Sequence, residues 1–156
     1  MTGTDRPAAP VTGYSGTPLH RKLGVRAGHR VLVTGLPAGF PAGLLDADGA
    51  ATLDPRANLV AGPPAVADVV LLFCPDAATL LAGLPAGLAS TAPKGRCWVA
   101  WPKRASKVRT DLTEDVVRDT ALAAGWVDVK VCAIDEVWSG LCLMRRTRSA
   151  TPGTPP

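Results

Sequence analysis

The run Asp68 to Cys74 (DVVLLFC) is apolar at six consecutive positions and is bounded by Ala67 and Pro75. A strand wetted on one face alternates apolar and polar residues, so an unbroken run predicts a strand covered on both faces, as in a parallel sheet. Arg30 to Thr34 (RVLVT), ended by Gly35, and Arg96 to Trp101 (RCWVAW) predict two more strands. Between Asp76 and Ser90 the period becomes helical: Asp76 stands where an N-cap belongs, Leu80, Leu81, Leu84 and Leu88 form a stripe, and Pro85 is expected to kink it. A second helix is expected after Asp111, which with Glu114 has capping-box spacing; Leu112, Val116, Val117, Ala121 and Ala124 supply its apolar face until Gly125. Val127 to Ile134 and Trp138 to Arg145 read as strands, and the short link Asp135 to Val137 predicts an antiparallel hairpin.

The amino-terminal part is weaker in pattern. Thr17 and Pro18 suit the cap and first position of a short helix carrying Leu19 and Leu23, with Gly24 as its stop. Residues 35–67 are rich in Gly, Pro and Ala, with one helical turn expected near Phe40 to Leu45 and a short strand near Ala51 to Leu53. The order of elements predicts an α/β fold, three-layer and Rossmann-like, with a mostly parallel sheet and a C-terminal antiparallel hairpin. Residues 14–148 form the expected single domain, and 1–13 and 149–156, rich in Pro, Thr, Gly and Ala without periodicity, read as disordered tails.

Composition supports this and narrows the function. At 156 residues, 47% hydrophobic and 19% charged, the chain suits one core that offsets its ordering entropy. The net charge of +4 is spread over Arg21 to Arg30, Lys103 to Arg109 and Arg145 to Arg148, which disfavours nucleic acid as a partner. The four cysteines contain no CxxC pair and lie in or beside apolar runs, which reads as buried reduced thiols in a cytoplasmic protein. No secretory leader and no apolar run near ~20 residues is present, so neither export nor membrane insertion is expected.

Three stretches carry candidate chemistry. In TGLPAGF, Gly35 and Gly39 could let a cofactor approach the backbone, and Asp54, nineteen residues after Gly35, could meet a ribose. Their spacing departs from the dinucleotide fingerprint and Pro37 intervenes, so no cofactor is expected, with S-adenosylmethionine or a nucleotide as the less favoured reading. In AWPKRASKVRTDLTED, Lys103, Arg104, Lys107 and Arg109 follow Trp101 at a strand's carboxyl end and precede a helix start. They read either as an anion site or as a solvated loop neutralised by its own acids. In IDEVWSGL, Asp135 and Glu136 are candidate acid or base groups beside Trp138. Tyr14, Ser15 and Thr17 complete the candidate surface. His20 and His29 lack companions at ligand spacing, and no metal is expected.

Two resemblances follow from these residues. From Asp68 to Arg146, the strand DVVLLF, a strand ending in WP, the turn AAGW and the hairpin VDVKVCAI with WSGLCLMRR resemble the second half of a class I methyltransferase. GYSGTPLHRKLGV, TGLPAGF, ADVVLLF, WVAWPKRASKVRTDLTEDVV and VDVKVCAIDEVWSGL resemble, over nearly the whole chain, the bacterial domain-of-unknown-function family numbered three thousand and fifty-two. That family implies a small, single-domain, cytoplasmic bacterial protein and supplies no activity. The expectation is a non-catalytic, methyltransferase-like module binding a protein or a small anionic ligand. The alternative is a small enzyme on an anionic metabolite or nucleotide, with Lys103 as electrostatic stabiliser and Asp135 as acid or base.

Overall fold

The computed structural model describes residues 17–56 and 66–146. The expected tails, and Tyr14 and Ser15 with them, lie outside the described residues. The elements run α1 (Leu19–Leu23), β1 (Arg30–Thr34), a 3-10 turn (Ala42–Leu45), β2 (Thr52–Arg56), β3 (Ala67–Phe73), α2 (Ala77–Ala89), β4 (Thr91–Pro102), a 3-10 turn (Arg104–Ser106), α3 (Glu114–Ala123), β5 (Trp126–Ala133) and β6 (Trp138–Arg145). One six-stranded sheet has the order β2-β1-β3-β4-β6-β5. β1 pairs parallel with β2 and β3, and β3 with β4; β6 pairs antiparallel with both β4 and β5. The expected three-layer α/β architecture with an antiparallel C-terminal hairpin is therefore the observed one.

The unbroken apolar runs are explained by cover on both faces. On one side Val70 and Leu72 of β3 and Cys97, Val99 and Trp101 of β4 pack with Leu80, Leu84 and Leu88 of α2 and Val117 and Ala121 of α3. On the other side Val69, Leu71 and Phe73, with Trp98 and Ala100, pack with Leu19, Leu23 and Val25 at α1 and with Leu45. Each such leucine contributes about 1.5–3 kcal/mol of burial. Trp98, the bulkiest of the fully buried side chains, satisfies its indole N–H on the Leu23 carbonyl at 2.9 Å, which pins the short α1 to the sheet.

Several local expectations are corrected. Leu81 is 62% exposed, because 100° per residue carries it off the stripe; Gly87 joins the buried face, where an added Cβ would lie 2.7 Å from the Leu72 side chain. α1 has Pro18 rather than Thr17 at its N-cap and starts at Leu19. β4 begins at Thr91, paired with Ala67, and a register shift separates this stretch from the Arg96–Val69 pair. Asp111 and Glu114 do not form a capping box: Thr113 is the N-cap of α3 and its hydroxyl accepts from the Val116 amide at 3.2 Å. Val116 and Ala124 are exposed, and Leu112 is buried ahead of the helix.

Candidate functional site

In an open α/β sheet the ligand crevice lies at the carboxyl ends of the strands, where the strand order reverses. Here the reversal falls between β1 and β3. Gly35 closes β1 with φ +70°, and an added Cβ would stand 2.7 Å from the Phe73 carbonyl oxygen at the end of β3. The glycine thus lets two strand ends approach each other. Phe40, just after Gly39, sets its ring against Phe73 at a centroid distance of 5.3 Å, and Phe73 meets Trp138 edge-on at 5.1 Å. Asp54 pairs in register with Leu32 in mid-strand, while Arg56 is the residue opposite Thr34 at the strand end. At this switch point Gly35 lies against the Phe73 carbonyl, Phe40 packs on Phe73, and Asp54 stands two residues before the end of β2.

The open space lies one strand further on, at the carboxyl end of β4. A cleft of about 570 Å³ is floored by Trp101, Pro102 and Leu112 and walled by Lys103, Arg104, Lys107 and Arg109, with Ser139, Thr113 and Glu114 at its margin. Local structure explains its shape. The Lys103 amide donates to the Val137 carbonyl at 2.7 Å, tying the exit of β4 to the β5–β6 hairpin. The Ser106 hydroxyl donates to the Lys103 carbonyl at 2.7 Å and accepts from the Val108 amide at 3.2 Å, folding the basic segment into a 3-10 turn. Lys107 ends that turn in the left-handed region at φ +65°, a conformation that costs a side-chain-bearing residue about 1–2 kcal/mol.

The acids that flank this basic segment are engaged elsewhere. Asp111 accepts from the Ala77 amide at the start of α2, at 2.8 Å. Glu114 and Asp115 both pair with Arg118, whose third partner is Asp128 at 3.0 Å. These contacts hold the Arg118 guanidinium firmly charged and keep the Asp128 carboxyl below its usual range, through the hydrogen bond from Arg118. None of Lys103, Arg104, Lys107 and Arg109 has an ion pair among the described residues. The sequence left an anion site and a self-neutralised loop open; among the described residues the acids next to the loop make their close contacts with Ala77 and Arg118, and Glu114 also lines the cleft.

The remaining candidates separate. Asp135 accepts from the amides of Val137 and Trp138, each at 2.8 Å, so its carboxylate builds the hairpin turn; Glu136 is exposed. Trp138 packs with the α1 side of the sheet and Trp101 with the α2–α3 side, so the two indoles belong to opposite layers of the core. Ser139, paired in register with Trp101, reaches the cleft instead, as do Leu112 and Thr113. Ser139 belongs to the candidate stretch IDEVWSGL, and strand register sets it opposite Trp101, 38 residues away in the chain. The His29 Nδ1 accepts from the Arg26 amide at 3.1 Å, and the His20 Nε2 lies 3.9 Å from Asp48. All four cysteines are free thiols, and no helix among the described residues is long and apolar enough to cross a membrane.

The fold is shared with methyltransferases of solved structure. TrmN from Thermus thermophilus superposes with a TM-score of 0.57 at 16% identity, over 82% of this chain and 47% of its own. The ribosomal protein L11 methylase from Lactobacillus delbrueckii subsp. bulgaricus gives 0.58 at 11% identity, over 83% of this chain and 76% of its own. The N-methyltransferase NodS from Bradyrhizobium japonicum gives 0.55 at 14% identity, over 86% of this chain and all of its own. The chain thus spans about half the length of TrmN. At these identities the likeness establishes a Rossmann-like, methyltransferase-like fold. No protein-family model matches the chain and no curated protein matches it, so the resemblance to the domain-of-unknown-function family rests on the quoted stretches alone.

Proposed function

We propose that this methyltransferase-like domain is a binding module that holds a small anionic ligand in the cleft at the carboxyl end of β4. The observation that carries the reading is the pairing pattern: four cations wall one cleft beside buried Trp101, while Asp111, Glu114 and Asp115 are spent on α2 and Arg118. Cations gathered around one cleft raise the local potential toward an incoming anion, and arginines supply forked donors for phosphate or carboxylate. Trp101 and Leu112 give the cleft an apolar floor suited to a planar or aliphatic body attached to that anion. A phosphorylated nucleotide or comparable metabolite has this chemistry. On this reading the ligand of the β4 cleft is distinct from S-adenosylmethionine, the donor that the methyltransferase-like neighbours point to. Asp135 accepts two amides of its own turn, which supports a structural role for this carboxylate.

Calorimetric titration with nucleoside mono- and triphosphates and with S-adenosylmethionine, at fixed ionic strength, tests this. A phosphorylated ligand at a hundred times its dissociation constant should raise unfolding free energy by about 2.7 kcal/mol. The double variant Lys103→Gln, Arg104→Gln should fold normally and lose that shift. Binding of S-adenosylmethionine alone, unaffected by the double variant, would overturn the reading.

A further inference from the structure

A second recess lies on the α1 side of the sheet, with a volume of about 200 Å³ and a lining of Arg21, Lys22, Arg26, Arg96 and Lys130 over Gly24 and Val25. Five cations line it and no carboxylate does. They come from three separate parts of the chain, and strand geometry explains their convergence. Arg96 and Trp98 alternate with Cys97, so both face α1; Lys130 is opposite Cys142, which belongs to the same cluster, and its ammonium stands 5.9 Å from the centroid of the Trp98 ring. α1 is held there by the Trp98–Leu23 hydrogen bond, and Gly24 then turns at φ +84°. An added Cβ at Gly24 would fall 2.2 Å from a guanidinium nitrogen of Arg96, so the glycine is what lets this arginine lie against the chain reversal.

Most of this charge has no ion-pair partner among the described residues. Arg21, Arg26, Arg96 and Lys130 make no ion pair among the described residues, and Lys22 donates to the Ala133 carbonyl at 2.9 Å. The nearby thiols do not supply an anion, since burial pushes Cys142 up to about 11 and also raises Cys132. Burial lowers the Lys22 ammonium, opposed by Cys132, with the like charges of Lys103 and Lys130 lowering it further. Cations crowded in this way repel one another, and an anion seated among them removes that cost.

We propose that this recess is a second anion site, distinct from the β4 cleft, that takes a compact, multiply charged phosphate group of the diphosphate type. Its volume is below the roughly 300–1,000 Å³ of pockets that enclose a drug-sized ligand, which favours a phosphate head over a whole nucleoside. Three arginines offer forked donors to adjacent phosphate oxygens, which a single carboxylate would leave underused. The diphosphate is either free or the exposed end of a larger phosphorylated molecule. The site does not depend on the β4 cleft having a ligand.

Inorganic pyrophosphate is the probe, titrated calorimetrically at constant ionic strength against the wild-type chain, Arg26→Gln with Lys130→Gln, and Lys103→Gln with Arg104→Gln. Arg26 and Lys130 are exposed, so the first double variant should fold as the wild type does. The expected result is a pyrophosphate site that weakens at least tenfold in the Arg26 and Lys130 variant and persists in the Lys103 and Arg104 variant, whose loss is confined to any binding in the β4 cleft. Adenosine diphosphate competing with pyrophosphate would mark the attached source, and its failure to compete the free one. No pyrophosphate binding, or equal weakening in both variants, would overturn the proposal. So would a single-stranded oligonucleotide that binds this face and is not displaced by pyrophosphate, since that would make it a nucleic-acid track.

Discussion

The Asp111 carboxylate accepts a hydrogen bond from the backbone amide of Ala77 at 2.8 Å, across 34 residues of chain. It satisfies one of the amides that open α2 while Asp76 takes the Thr79 amide at the same end. Asp111→Ala should therefore lower stability by about 1 kcal/mol in urea denaturation. Asp111→Asn, which keeps an acceptor oxygen, should recover most of that loss. Equal stability of the wild type and Asp111→Ala would mean that the contact does not tie the cleft loop to α2.

Lys107 is a lysine in a glycine-like conformation, at φ +65°. Lys107→Gly should raise the unfolding free energy by up to about 1 kcal/mol, by relieving backbone strain. The same change removes one of the cations around the β4 cleft, so it should weaken anion binding there. A variant that gains stability and keeps full affinity would show that Lys107 serves neither ligand nor fold.

Gly35 and Gly39 both have positive φ, +70° and +81°, but only Gly35 has a neighbour in the way. Gly39→Ala should cost about 1 kcal/mol, the ordinary left-handed penalty. Gly35→Ala should cost clearly more, because its Cβ would meet the Phe73 carbonyl oxygen at 2.7 Å. The two midpoints in guanidinium denaturation give the comparison.

Trp98→Phe removes the indole N–H that the buried Leu23 carbonyl accepts. The unpaired carbonyl costs about 1–3 kcal/mol, and the lost ring volume adds to it. The amides that close α1, from Gly24 to Arg21 and from Val25 to His20, should then exchange with deuterium faster than the rest of the core. Unchanged protection there would show that α1 docks without this bond.

Stability should fall at both ends of the pH scale for separate reasons. Cys74 and Cys97 are pushed up to about 12 by burial, from an ordinary value of 9.0. The unfolded chain therefore sheds these protons first, so their contribution is complete below about pH 9 and is lost as pH rises toward 12. Asp128 is held below its model-peptide value of 3.8 by Arg118; its contribution is present above that value and lost as pH falls through the depressed one. Urea midpoints across pH 2–11 should show both declines, and Arg118→Leu should remove much of the acid one. In the native state near pH 8, an aromatic disulfide reagent should reach half-buried Cys132 before the three buried thiols.

Much of this protein is determined by the chain read on its own. The apolar runs RVLVT, DVVLLFC and RCWVAW have no solvent face to offer, so they had to become strands covered on both sides. The short Asp135–Val137 link left the last two strands no geometry but a hairpin. These are local facts, and period and link length encode them. What an acidic side chain does depends instead on where distant backbone arrives. Asp111 and Glu114 have capping-box spacing, yet the arrival of α2 gives Asp111 to Ala77, and α3 caps itself with Thr113. Asp135 shows the local counterpart, since its carboxylate accepts the Val137 and Trp138 amides of its own turn.

The same holds for the cations. Along the chain Arg26, Arg96 and Lys130 belong to different segments and read as diluted charge, whereas the docking of α1 over Trp98 and the pairing of β5 with β6 gather them round one recess. Strand pleat and helix docking decide which charges share a recess, and neither is written in any one stretch of sequence. The sequence by itself determined that a parallel sheet with a closing hairpin would form, since burial of unbroken apolar runs permits little else. Only the tertiary structure decided which acids on its rim were already engaged, because Asp111 meets the Ala77 amide 34 residues away at 2.8 Å and Arg118 meets Asp128 at 3.0 Å only where α3 packs on β5.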